Sequence, residues 1–390
     1  MKKIIISSAV RTAIGSFGKT LKNTSAVELG SAVIYEAMKK SKIRPSEVDE
    51  VIMGQVLTAG CGQNPARQSA IKSGVPIEKP SYLVNQVCGS GLRSIVSAYH
   101  SILTDSSKIV VAGGQESMSS SRHCIHLRDG KKIGDVEIVD SMIKDGLWDA
   151  FNDYHMGVTA ENVAEKFQVT RNEQDGFALK SQEKALQSQK DNKFKEEIID
   201  FKIKSKTNEI NFNIDEHPRE GLTLDALSRL KPVFKKDGTV TAGNASGIND
   251  GAAAVILMSE DEANKRGIEK LVSIKSWASC GVEPSLMGTG PIPSSKKALE
   301  LAGWSINEVD LFEINEAFAA QSLAVVKTLS IPEENINVNG GAIALGHPIG
   351  ASGTRILVTL IHEMIRRGSK KGLATMCIGG GMGISICLER

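Results

Sequence analysis

The tetrapeptide Ser90-Gly91-Leu92-Arg93 has a near copy in Ser352-Gly353-Thr354-Arg355. The match is not isolated. Upstream, Ala37-Met38-Lys39-Lys40-Ser41 followed by Glu47-Val48-Asp49 parallels Ala298-Leu299-Glu300-Leu301-Ala302 followed by Glu308-Val309-Asp310. Downstream, Ile109-Val110-Val111-Ala112-Gly113-Gly114 parallels Ala374-Thr375-Met376-Cys377-Ile378-Gly379-Gly380. The pairs keep one order at offsets of 261 to 266 residues, which marks an internal repeat. Strand-like runs at 4–9, 51–54, 108–112, 253–258, 271–275, 310–314, 373–378 and 384–388 alternate with helical periodicity at 25–41, 91–103, 294–302, 316–328 and 352–367. Such alternation implies parallel sheet covered by helices. The fold expected is therefore α/β, a duplicated half with parallel-rich mixed sheets and helices in layers.

The two copies differ in length. In the second, the glycines lead directly into the run 384–388; in the first, the equivalent run 253–258 follows an insertion spanning roughly residues 115–250. Its stretch 190–219 is charged and polar, and Asp215-Glu216-His217-Pro218-Arg219-Glu220-Gly221 reads as a loop. A lid or ligand-covering segment is expected there, with a plain spacer as the alternative. The implied layout is a first half at 1–118 and 247–268, an inserted loop domain at 119–246, and a second half at 269–390.

Composition excludes more than it names. A chain of 390 residues exceeds one ordinary domain, and its net charge of +2 selects neither nucleic acid nor an anionic membrane. Six cysteines are too sparse for a disulfide scaffold. Met1-Lys2-Lys3 followed by residues 4–10 is too short for a secretory signal and reads as a buried first strand. No apolar run approaches membrane-spanning length, so a cytoplasmic location with reduced thiols is expected. Glycine is enriched, at 37 residues.

The glycines flank reactive side chains. Cys88 precedes a helix start in Val87-Cys88-Gly89-Ser90-Gly91, where the helix dipole favours thiolate and small neighbours allow close approach. This pattern suits a nucleophile, or equally a small cysteine packed under a turn. His347, between Gly346 and Pro348, is a candidate base. Pairing Gly91 with Gly353 puts Cys88 and His347 at nearly equivalent places in the repeat, so pseudo-two-fold packing would bring both to one cleft. Cys377 ends a strand before Gly379-Gly380-Gly381, whose N–H groups suit an oxyanion hole; a buried strand cysteine is the plainer reading. Asn315 lies at a strand-to-helix junction, as a helix cap or as an amide orienting a water or substrate oxygen. His155 also has a suggestive setting, whereas His100, His123, His126, His217 and His362 read as surface or loop residues. The P-loop-like Ala13–Thr20 run (residues 13–20) lacks its first glycine, and His123-Cys124-Ile125-His126 lacks metal-site spacing, so no metal is expected.

Together, Val87-Cys88-Gly89-Ser90-Gly91, Asn315-Glu316-Ala317-Phe318-Ala319, Gly346-His347-Pro348-Ile349-Gly350 and Cys377-Ile378-Gly379-Gly380-Gly381 resemble the motifs of thiolases, nearest the biosynthetic, acetoacetyl-CoA-forming type. Gly62-Gln63-Asn64-Pro65-Ala66-Arg67, His155-Met156-Gly157, Thr241-Ala242-Gly243-Asn244-Ala245-Ser246 and Met287-Gly288 fit as well, over residues 4–389. The resemblance implies an acyltransferase with acetyl-CoA, acetoacetyl-CoA and CoA as substrates and products, and no separate cofactor. It implies that Cys88 is the nucleophile and His347 its base. Cys377 would take the α-proton, Asn315 would act through a water, and the N–H groups of Cys88 and Gly379 would bind the oxyanion. It places Leu147, His155, Met156, Arg219, Ala242 and Ser246 on CoA, with Ala317 and Phe318, and Met287 at a short acyl pocket. It implies a homotetramer or homodimer, although residues 119–135 depart from the sequence usual there. Three rivals stand: a degradative 3-ketoacyl-CoA thiolase of longer chain range, a non-catalytic thiolase-like lipid-binding protein, and a Cys-His-Asn hydrolase.

Overall fold

The protein is described by a computed structural model covering residues 2–204 and 209–390; positions 205–208 of the charged stretch lie outside the described residues. Its frame is a ten-stranded sheet. The strands are β1 (Ile4–Arg11), β2 (Glu50–Gly54), β3 (Ser81–Val84), β4 (Ile109–Ser117), β5 (Asn249–Ser259), β6 (Val272–Gly281), β7 (Leu311–Ile314), β8 (Lys371–Ile378) and β9 (Met382–Glu389), with the short Gly15–Ser16 strand beside β5. Their order is β7-β8-β9-β6-β1-β5-β4-β2-β3. Read outward from the middle, β1-β5-β4-β2 and β6-β9-β8-β7 are the same series twice. The halves join where Ile5 and Ile6 of β1 pair with Ser273 and Val272 of β6.

The repeat is visible down to single hydrogen bonds. The Asp49 carboxylate accepts from the N–H groups of Lys108 and Ile109 at 2.9 and 3.0 Å. Asp310, its counterpart, accepts from Lys370 and Lys371 at 2.7 and 2.9 Å. Where β2 pairs with β3, the second copy keeps one bridge, Phe312 with Ile336.

All eight strand runs expected from sequence are present and the sheet is mixed, as expected, but its parallel pairings are confined to the two wings (β2 with β3 and β4, β7 with β8). Antiparallel pairings hold its centre. The reason lies in the connections. Glycines 379–381 turn β8 back into β9 with Gly380 at φ +85° and Gly381 at +88°, a left-handed reversal that leaves no room for a crossover helix.

Both faces of the sheet are buried, which explains why its strands read as continuous apolar runs. On β5, Ala253, Val255 and Leu257 face one core, while Ala252, Ala254, Ile256 and Met258 face another. The first core is closed by helices α3 (Ser90–Leu103) and α8 (Ser352–Arg367). The second is closed by α1 (Ala26–Lys40) and α2 (Pro65–Lys72), and the outer face of the second half by α6 (Pro291–Ala302) and α7 (Ala319–Leu329). Between β4 and β5 run α4 (Met156–Lys166) and α5 (Arg171–Lys190), the latter fixed by a capping box of Thr170 and Glu173. Helices α3 and α8 meet at their matched glycines. A Cβ on Gly91 would lie 2.7 Å from the Thr354 nitrogen, and one on Gly353 would lie 2.5 Å from that of Leu92. That contact brings the loops before both helices to one place.

Candidate active site

Cys88 sits on a strained turn. Val87, a β-branched residue, has φ +46°, a conformation that persists only where surroundings impose it. Ser90 holds the turn, its hydroxyl donating to the Val87 carbonyl at 2.6 Å and accepting from the Gln86 N–H at 2.9 Å. Arg93 donates to the Gln86 side chain at 2.8 Å and lies over Trp277. The loop after β8 presses against this turn: a Cβ on Gly89 would meet Ile378 at 2.4 Å, and one on Gly379 would meet Val87 at 3.3 Å and Met156 Sδ at 3.6 Å. The backbone N–H groups of Gly379 and of Cys88 itself both point at the Cys88 sulfur.

The expected lowering of the Cys88 pKa by the helix dipole is not what the structure gives. Cys88 is half-buried, and burial pushes its thiol up to about 11, outweighing the two N–H donors that favour thiolate. At neutral pH it is a thiol and needs a base. Cys377 is buried beside it, and burial, then the neighbouring Cys88, hold its thiol well above the ordinary range.

The second loop brings that base. The His347 N–H donates to Asn249 Oδ1 at 2.9 Å, and Nδ1 lies 2.6 Å from Ser352 Oγ. Ser352 spends its own proton on the Pro348 carbonyl at 2.9 Å, so it accepts from Nδ1–H and leaves Nε2 unprotonated. Burial, then the Arg355 charge, bring the His347 pKa down to about 3, which keeps the ring neutral. Asn315 Nδ2 is 3.4 Å from Nε2, and Asn315 Oδ1 is buried without a hydrogen-bond partner among the described residues. Helix α7 starts at Ala319 rather than 316, so Asn315 stands in extended chain and caps no helix. Ile349, two residues past His347, shares an apolar cluster with Cys88 and Leu147.

The remaining candidates divide. Met156, Met287, Ala317 and Phe318 pack with Cys377 in one cluster. His155 caps α4, accepting at Nδ1 from the Gly157 N–H at 3.0 Å, and stacks on Phe234, whose ring meets Phe318 edge-on. The Ser246 N–H donates to the Ala317 carbonyl at 3.0 Å. Arg219 and Ala242 are exposed and stand outside the cluster; the Arg219 N–H donates to Gln182 on α5. His217 and His362 are half-buried rather than on the surface, because His217 wedges against Gly247 and His362 bonds the Ala9 carbonyl.

Sequence reasoning missed Phe234, Asn249, Ser352 and Glu116. Glu116, also buried, accepts from the N–H groups of Val56, Leu57 and Gly350 at 2.9, 3.2 and 3.0 Å, tying the His347 loop to the end of β2. A spacing signal existed for Ser352 alone, five residues past His347 on a helix start. Among the described residues no group of three or more His, Cys, Asp or Glu is disposed to hold a metal, and no helix is long and apolar enough to cross a membrane.

A duplicated α/β frame carrying two cysteines, a neutral histidine and an asparagine at the meeting point of its halves defines a cysteine-dependent acyl-transfer enzyme. Residues 4–261 match the thiolase N-terminal domain model and residues 268–390 the thiolase C-terminal domain model; the chain belongs to the thiolase family. It is 58% identical over 387 residues to the acetyl-CoA acetyltransferase of Rhizobium meliloti, covering 99% of this chain and 98% of that one. Among solved structures, the Bacillus anthracis acetyl-CoA acetyltransferase superposes with a TM-score of 0.98 at 45% identity, covering 100% of this chain and 99% of that chain. Human mitochondrial 3-ketoacyl-CoA thiolase does so at 0.97 and 42% identity, with the same coverage.

Proposed function

We propose that this chain is an acetyl-CoA C-acetyltransferase, condensing two acetyl-CoA into acetoacetyl-CoA and CoA and running the reverse thiolysis. The observation that carries the reading is the contact of α3 and α8 at Gly91 and Gly353, which brings the turn of the half-buried thiol Cys88 to the loop of a neutral His347 whose Nδ1 is locked by Ser352. His347 Nε2 takes the Cys88 proton as the sulfur attacks the thioester carbonyl. The oxyanion forms against the N–H groups of Cys88 and Gly379. CoA leaves as a thiolate and takes the Cys377 proton; the remaining Cys377 thiolate, a strong base because it is buried, removes an α-proton from the second acetyl-CoA. The carbanion attacks acetyl-Cys88, and the departing Cys88 sulfur recovers its proton from His347. Asn315 Oδ1, buried and unpartnered among the described residues, suits a water bound to the enolate oxygen, and His347 supports the same atom.

Phe234, His155 and Phe318 form an aromatic wall suited to the CoA pantetheine, with Met156, Ala317 and Ser246 beside it, and Leu147, from the cluster of Cys88 and Ile349, would continue it. Met287 limits the acyl pocket to short chains. Arg219 and Ala242 are exposed at the outer end, where the nucleotide and its phosphates belong. The segment 119–246 is read as the CoA-covering domain between halves 1–118 with 247–268 and 269–390, the assembly as a homotetramer or homodimer, and the location as cytoplasmic, in keeping with six free cysteines.

Incubation with acetyl-CoA should leave an acetyl group on Cys88, detected by peptide mass spectrometry, and Cys88→Ala should abolish both acetylation and thiolysis. Thiolysis by the Cys88→Ala protein would remove Cys88 from its role. The likeness to a 3-ketoacyl-CoA thiolase favours a second reading, a broader chain range; equal turnover of acetoacetyl-CoA and a long-chain ketoacyl-CoA would establish it.

A further inference from the structure

Behind the Asn315–His347 contact a second polar pair joins the same two elements. Arg355 lies on α8 three residues past Ser352, and Glu313 lies on β7 two residues before Asn315. Both are buried, with Nη1 3.6 Å from Oε2. None of the three Arg355 guanidinium nitrogens, nor Glu313 Oε2, has a hydrogen-bond partner among the described residues. Burying a guanidinium with so little compensation is costly, so packing alone does not account for it. Its charged surroundings are Glu313 on β7, Glu316 just beyond, Glu197 from the inserted segment and Arg11 on β1. Arg11 is already saturated, by Glu197 at 2.7 Å and Asp215 at 2.7 Å. Around His347 stand the neutral groups Asn315, Ser352 and Asn249, and the Arg355 charge acts on the ring through the interior.

We propose that Arg355, balanced by Glu313, is a positioning residue that holds the resting Cys88–His347 couple in its thiol–imidazole form. The proposal rests on the reading of Cys88 as nucleophile and His347 as its base. Moving the Cys88 proton to Nε2 would create an imidazolium within reach of the Arg355 charge in a poorly screened interior, and that repulsion opposes the transfer. A resting thiol is also a poor target for oxidants and alkylating agents. Burial pushes the Glu313 carboxyl up to about 8 against the pull of Arg355, so Glu313 offsets the guanidinium charge once it ionises and then sets how strong the opposition is.

The test is the rate at which iodoacetamide alkylates Cys88 in the full-length protein at about pH 9, where Glu313 is ionised, read by peptide mass spectrometry beside a melting curve. Arg355→Met should speed alkylation about tenfold, the change in thiolate fraction for one unit of pKa. Glu313→Gln, which keeps the shape and leaves the guanidinium uncompensated, should slow it; the double variant should return towards the wild-type rate. Unchanged rates, or both single variants moving in the same direction, overturn the proposal. Should Arg355→Met not fold, the nearly isosteric Glu313→Gln decides alone, a wild-type rate counting against. His347→Asn separates the two levels. If it slows alkylation while the other variants are silent, only the Arg355 proposal falls; if it alkylates at the wild-type rate, the base assignment itself fails.

Discussion

At the scale of single residues, desolvation and the helix dipole compete at Cys88, and desolvation prevails. A dipole contributes about 0.3–1 kcal/mol near a helix end, whereas burial shifts a thiol by whole units at about 1.4 kcal/mol each. The result is a thiol that depends on His347, and His347 depends on Ser352 for its tautomer. Ser352→Ala should therefore lower kcat about fivefold, the value of one hydrogen bond of about 1 kcal/mol, while KM for acetoacetyl-CoA stays nearly constant. Steady-state thiolysis of acetoacetyl-CoA measures both. A change in KM alone would mean that Ser352 serves the binding surface and not the base.

At the scale of elements, the site exists because α3 and α8 touch at Gly91 and Gly353. Neither glycine has positive φ; each is required by the closeness of the other helix. Gly353→Ala places a methyl group 2.5 Å from backbone, where no flexible side chain can yield. It should cost about 1–3 kcal/mol, seen as a lower urea midpoint, and should weaken acetylation of Cys88 as the two loops move apart. A variant with native stability and activity would show that the contact is dispensable. The repeat made this crossing legible from sequence: the two tetrapeptides that revealed the duplication are the two that meet. The antiparallel centre of the sheet was not legible, since strand–helix alternation points to parallel neighbours. Only the short glycine turn between β8 and β9 decided it. Phe234 and Asn249 were equally hidden, because each acts on a residue distant in sequence and neither sits in a recognisable local pattern.

For the whole molecule, buried neutral histidines set the acid limit of stability. His347 titrates at about 3 and His217 at about 4 in the folded protein, against about 6.5 for an unfolded chain. The unfolded chain therefore binds more protons below about pH 6.5, and stability falls as pH drops from there towards about 3. Burial raises Glu116 to about 7 and Glu313 to about 8, so their contributions run the other way and are lost as pH rises. His347→Asn removes one histidine share and keeps the carboxyl shares, so on acidification from about pH 6.5 to about pH 4 its melting temperature should gain on that of the wild type. An identical slope in that variant would mean that His347 is not protonated on unfolding.

Sequence by itself determined the duplication, the strands and helices of each half, and the motifs whose loops converge. These follow from local periodicity, from repeat offsets, and from residue types that chemistry restricts. Tertiary structure alone decided the protonation states on which the chemistry depends. It made Cys88 a thiol, His347 a neutral base with one free nitrogen, and Arg355 a buried cation behind them. The physical reason is that hydrogen-bond propensity and spacing are written along the chain, whereas the cost of a charge depends on what folding packs around it.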